Sequence, residues 1–186
     1  MRKNFFLFIL FALVAIFSSC FNTGVSQAAS QLPNLAQYIP TGFVIVDSST
    51  KDYGMFVTSG VRARKDNVLP KPFKTPEKAE VAVGFMVYSD PSLNPQLWTE
   101  AQKSAEEESQ RPSTQYRHFI GKETIRSGGT IYWYQGKQFN VQGAKDEASV
   151  LDTYHATIIK QINNGVLTVK IDEFVGDRDT IRKCFQ

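Results

Sequence analysis

Histidine and cysteine are scarce in this chain, with two of each among 186 residues. His118 and His155 both fall in stretches that read as strands, and no motif places a serine or cysteine nucleophile beside either one. There is no Gly-Lys-Ser phosphate loop, no Gly-x-Ser-x-Gly elbow and no His-Glu-x-x-His zinc helix. Those absences remove the enzyme classes that announce themselves by local sequence, so no catalytic residue, cofactor-binding residue or metal ligand is assigned, and no cofactor is expected. Asp172, Glu173, Asp177 and Asp179 do cluster, but their spacing fits no calcium loop and Arg178 interrupts it. They read instead as carboxylates at a strand end and at a helix N-terminus, where the helix dipole favours them.

Cysteine gives a second exclusion. With only Cys20 and Cys184 present, a chain cleaved after Cys20 holds a single thiol and no internal disulfide framework, so packing must supply its stability. The spacing of Ile181, Cys184 and Phe185 puts that thiol on an apolar helical stripe, which predicts a buried, slowly reacting group and no covalent dimer.

Long apolar runs are lacking too, apart from one. Arg2 and Lys3 precede an uninterrupted apolar stretch at 5–17, too short for a comfortable bilayer span but suited to a secretory signal. Two processing sites follow. Ser26-Gln27-Ala28 before Ala29 suits ordinary signal peptidase, which assigns 1–28 as leader and 29–37 as a flexible lead-in. Ser18-Ser19-Cys20 resembles a bacterial lipobox except at Phe17, which would make 1–19 the leader and Cys20 the lipidation site. Either route predicts an extracytoplasmic protein exported by a Sec-type signal, touching membrane only through a lipid anchor.

Charge of one sign is also absent. Two of the 21 basic residues lie in the leader, leaving 19 against 18 acidic ones. A near-neutral surface argues against nucleic acid as a partner.

What the chain does have is alternation. Residues 153–174 hold two alternating runs that meet at Asn164-Gly165, the pair best suited to a two-residue type I′ turn. That turn predicts Ile158 opposite Ile171 and Lys160 opposite Val169. One face then carries Ala156, Ile158, Ile162, Leu167, Val169 and Ile171, and Lys160 is its exception. Shorter strands are expected at 43–47, 53–59, 116–122 and after Gly128-Gly129, with 80–88 apolar on both faces and therefore at the sheet centre. Asn94 and Pro95 open an amphipathic helix striped by Leu97, Trp98, Ala101 and Ala105, with Glu106, Glu107 and Glu108 read as solvated. A terminal helix capped by Asp177 closes the chain. Three prolines make 65–78 a loop that presents Phe73. In the run 131–134, alternation turns Trp133 away from Tyr132 and Tyr134. The order of elements predicts one α+β domain over 38–186, with a mostly antiparallel sheet covered by helices as an α/β/α sandwich.

The Tyr38-x-Pro40-x-Gly42-Phe43 entry, the helix after the third strand, the 129–132 stretch, the closing hairpin and the terminal helix together resemble the family of the photosystem II extrinsic P subunit and its bacterial periplasmic and lipoprotein relatives. That resemblance implies an α/β/α sandwich and a non-enzymatic binding or assembly role, and it transfers no site residue. The functional expectation is therefore an exported accessory protein that binds another envelope or extracellular protein, with Trp133, His155 and Phe73 as the candidate partner or ligand surface. Two other classes stay open: a hydrolase or lyase, signalled by a histidine within hydrogen-bond reach of Asp, Glu, Ser or Cys, and a small-ligand carrier, signalled by a deep apolar pocket.

Overall fold

The computed structural model describes residues 32–68, 78–114, 117–139 and 150–185. The leader with Cys20 and both cleavage sites, and Phe73, lie outside the described residues. Seven strands form one sheet: β1 (Val44–Asp52), β2 (Phe56–Asp66), β3 (Lys78–Tyr88), β4 (His118–Thr124), β5 (Thr130–Phe139), β6 (Val150–Ile162) and β7 (Gly165–Phe174). Their spatial order is β1-β2-β3-β7-β6-β5-β4, and every neighbouring pair is antiparallel. The middle strand is thus β7, with β3 beside it, one place from where the sequence put the centre.

The expected α+β class with an α/β/α sandwich is overturned. One face carries a single helix of 16 residues, α1 (Asn94–Ser109). The other is closed by a 3-10 turn at Leu35–Tyr38 and by α2 (Arg178–Arg182), only five residues long. A seven-stranded antiparallel sheet dominates, so the architecture is closer to all-β. The reason is how the chain is spent. β1 runs 9 residues and β2 11, well beyond the short strands expected at 43–47 and 53–59, and the tail turns out of its helix at Lys183.

The β6–β7 hairpin forms, but its turn is Asn163-Asn164, with φ of 46° and 60° as a type I′ turn demands. Ile158 therefore faces Val169, and Lys160 faces Leu167. Moving the turn by one residue moves the pairing by two, so no side chain changes face. Ala156, Ile158, Leu167, Val169 and Ile171 join Val81, Val83, Phe85, Ile131 and Trp133 in the main core, under the N-terminal turn and α2. Each fully buried isoleucine or leucine there contributes roughly 2 kcal/mol of apolar burial. Lys160 resolves its conflict with that face by running to the edge, where its Nζ donates to Ser127 Oγ at 2.8 Å.

On the opposite face a smaller cluster of Ala105, Tyr132, Tyr134 and Ile159, with Trp98, seats α1. Asn94 does not cap the helix through its side chain; its Oδ1 accepts from Tyr88 N at 2.9 Å and so pins the helix start to the end of β3. Asp177 does cap α2, accepting from Asp179 N at 2.9 Å. Ile181 and Phe185 are buried and Cys184 is half-buried beside them, where burial pushes its thiol pKa up.

Candidate functional site

Alternation along β5, β6 and β7 places Tyr132, Tyr134, His155, Thr157, Lys170 and Asp172 on the face that α1 covers. The register sets Thr157 between Tyr132 and Lys170, and His155 opposite Tyr134. Into this row the end of α1 lowers two carboxylates. Glu106 accepts from Lys122 Nζ at 2.9 Å and from the Tyr132 hydroxyl at 3.3 Å. Glu108 lies 3.0 Å from Arg117 and 3.7 Å from Lys170. The Arg117 guanidinium sits 4.0 Å above the Tyr134 ring, and burial, with the Glu108 charge beside it, pushes the Tyr134 phenol up to about 12. Glu108 is therefore not the solvated side chain the sequence suggested, whereas Glu106 stays 42% exposed and is ion-paired. Carboxylates in the last turn oppose the helix dipole, which favours nearby cations there. That mismatch is a hint in the sequence of cations near the end of α1, but nothing local names Lys122, Arg117 or Lys170.

His155 Nδ1 lies 3.1 Å from Asp172 Oδ1, placed to donate to that carboxylate, and Glu173 N lies 3.4 Å from the same nitrogen. Glu173 adopts φ of 55° where the β6–β7 register slips between Tyr154 and Ala156. Asn67 clamps this bulge, donating to Glu173 O at 2.8 Å and accepting from Val175 N at 3.2 Å. Burial alone would raise the Asp172 carboxyl's pKa. The His155 hydrogen bond and the charges of His155, Arg117 and Lys170 more than offset that and hold it below its usual value. Its side chain remains 56% exposed, so solvent screens much of both effects.

A depressed carboxylate contributes stability above its unfolded pKa and loses it as pH falls through the lower folded value. Asp172→Asn should therefore lower the urea midpoint at about pH 6 and flatten its fall towards about pH 3. A variant with an unchanged pH profile would show that the pair contributes nothing.

The geometry limits the chemistry. His155 is 9% exposed, and Thr157, two residues away on the same face, keeps its Oγ1 buried without a hydrogen-bond partner among the described residues. A nucleophile needs contact with its base, and Thr157 has none. The groove between α1 and the β4–β5 hairpin, about 580 Å³, is lined by Gln102, Lys103, Glu106, Lys122, Thr130 and Tyr132 and does not include His155. Its open, charged lining differs from the deep apolar pocket a small-ligand carrier requires. Among the described residues, no three His, Cys, Asp or Glu side chains converge on a metal position.

Of the sequence candidates, Trp133 is 2% exposed in the core, with Arg182 and Arg178 at 5.4 and 5.6 Å over its ring, so it presents no surface. Tyr132 and Tyr134 do point to the opposite face, as alternation requires, but that face is packed as well. His155 is buried at the pair described above; Phe73 and Cys20 lie outside the described residues.

The exposed apolar surface lies elsewhere, at a sheet edge. All nine residues of β1 are exposed, among them Val44, Ile45 and Val46, and Tyr53 and Met55 are exposed just beyond its end. Sequence reading stopped this strand at Asp47 because Ser48 to Asp52 resembled a turn. Pairing with β2 carries it to Asp52 across a bulge between Ile45 and Asp47. Compared with family models, curated proteins and solved structures, the chain matches none of them.

Proposed function

We propose that this protein is an exported accessory protein without catalysis of its own, which binds another protein by accepting an added strand at β1. Export rests on the leader-like first 28 residues. Binding rests on one observation: β1 is an edge strand exposed along its whole length, with three consecutive apolar residues on it. An edge strand turns a row of N–H and C=O groups outward, and pairing with an incoming strand satisfies them while exposed apolar side chains add burial. The hydrolase or lyase reading draws on the His155–Asp172 contact alone. It is the weaker of the two, because His155 is buried and, among the described residues, no nucleophile is bonded to that pair.

Replacing Val46 with a photo-reactive amino acid should yield covalent adducts with another protein chain when cells of the source organism are irradiated. The same residue at Glu107, on the exposed side of α1, should not. No adduct at either position, or equal adducts at both, would overturn the binding edge.

A further inference from the structure

We propose that the strand added to β1 is β1 of a second copy of this chain, antiparallel about a two-fold axis through Ser49. The inference rests on the reading of β1 as the binding edge and goes on to name the occupant.

The axis position follows from sheet geometry. Directly opposite residues of an antiparallel pair point to the same face, so an axis perpendicular to the sheet must pass through a residue and not between two. Asp47 and Lys51 share a face of β1, since their β2 partners are Arg62 and Thr58, which lie on one face of that strand. An axis through Ser49 sets Asp47 opposite Lys51 of the second copy, and symmetry repeats the pair. An axis through Ser48 sets Asp47 against Ser49 and Lys51 against Ile45. One through Thr50 sets Asp47 against Tyr53, and one through Lys51 sets like charges together. Only Ser49 gives charge complementarity.

The two ends of β1 carry much of the exposed apolar surface. Five of the nine large apolar side chains exposed among the described residues flank β1 at its two ends: Val44, Ile45, Val46, Tyr53 and Met55. The axis through Ser49 lays 44–46 of one copy alongside 52–54 of the other, which brings Ile45 beside Tyr53 and Val46 beside Asp52 at both ends, with Ser48 against Thr50 between them. Lys51 makes no ion pair among the described residues, which leaves its ammonium available, whereas Asp47 already accepts from Arg62 at 3.0 Å and is held in place. Charges on an edge strand commonly discourage association. Here they are spaced to accept one register and reject its neighbours.

Two measurements on the purified chain test this. Light scattering should report twice the chain mass at micromolar concentration, and Lys51→Asp, which sets carboxylate against carboxylate at an exposed position, should halve that mass. That variant should keep the far-UV circular dichroism spectrum of the parent chain and make the melting temperature independent of protein concentration. Residues facing each other across such a pair have Cα atoms ~5 Å apart, within disulfide reach. Ser49→Cys should therefore give a disulfide-linked dimer on mild oxidation, while Ser48→Cys and the parent chain, which retains Cys184, should not. A dimer in which Ser49→Cys fails to cross-link overturns the register and the proposal. A monomeric chain that still forms adducts with a foreign protein at position 46 overturns self-pairing and leaves the binding edge standing. A monomer with no adduct there removes both.

Discussion

Gly165→Val is expected to cost roughly 3 kcal/mol or more, as overpacking against groups that cannot yield. A Cβ added at Gly165 would stand 2.5 Å from the Met86 carbonyl oxygen and 2.5 Å from Phe85 Cζ. The first is backbone in a paired strand, and the second belongs to a core ring that is 2% exposed. Gly165 is not the glycine of the hairpin turn, because the left-handed residues are Asn163 and Asn164. Asn164→Gly should therefore be tolerated, since glycine adopts positive φ freely. Asn164→Val should lose about 1–2 kcal/mol from the left-handed backbone alone. Urea midpoints rank the three variants. If Gly165→Val matched Asn164→Val, the close contact with Phe85 and Met86 would not be what excludes a side chain.

Ile171→Asp should unfold the domain or cost on the order of 4–5 kcal/mol, the range of an unpaired charge placed in a core. Ile171 is 0% exposed, on the central strand between Val81 and Ala156. Its neighbour Lys170 points to the opposite face, which alternation alone would leave in water. The end of α1 reaches it, however, and Glu108 lies 3.7 Å from its ammonium. Lys170→Asp is therefore not silent: it sets a third carboxylate beside Glu108 and Asp172 and should cost on the order of 1 kcal/mol. The comparison is read from thermal and urea unfolding of both variants. Equal losses at these adjacent positions would contradict the assignment of faces.

Much of the sheet was legible before any coordinates. The main-core faces of β6 and β7 follow from period-two alternation, and they survived even where the turn was misplaced, because a one-residue shift of a hairpin turn preserves parity, whereas β3, read as buried on both faces, buries one and leaves the other half-buried. Asp177 and the Ile181-Cys184-Phe185 stripe are likewise local, with every partner within one helical turn. The carboxylate cluster was half legible. Three glutamates in a helix's last turn favour nearby cations, yet nothing local says that Arg117 and Lys170 supply them.

The sequence by itself determined which side chains share a face, where α1 begins and ends, and that no local motif for catalysis is present, since each depends on neighbours within a few residues. The tertiary structure decided what lies across each face. Gly165 is a strand residue because Phe85, eighty positions earlier, occupies the space its side chain would need. Ser48 to Asp52 is strand because β2 pairs with it, although its composition is that of a turn. β1 became an exposed edge because β7 took the other side of β3 through the pairing Glu80 to Asp172. Such long-range pairings are chosen by the total apolar area they bury, and no single segment carries that quantity.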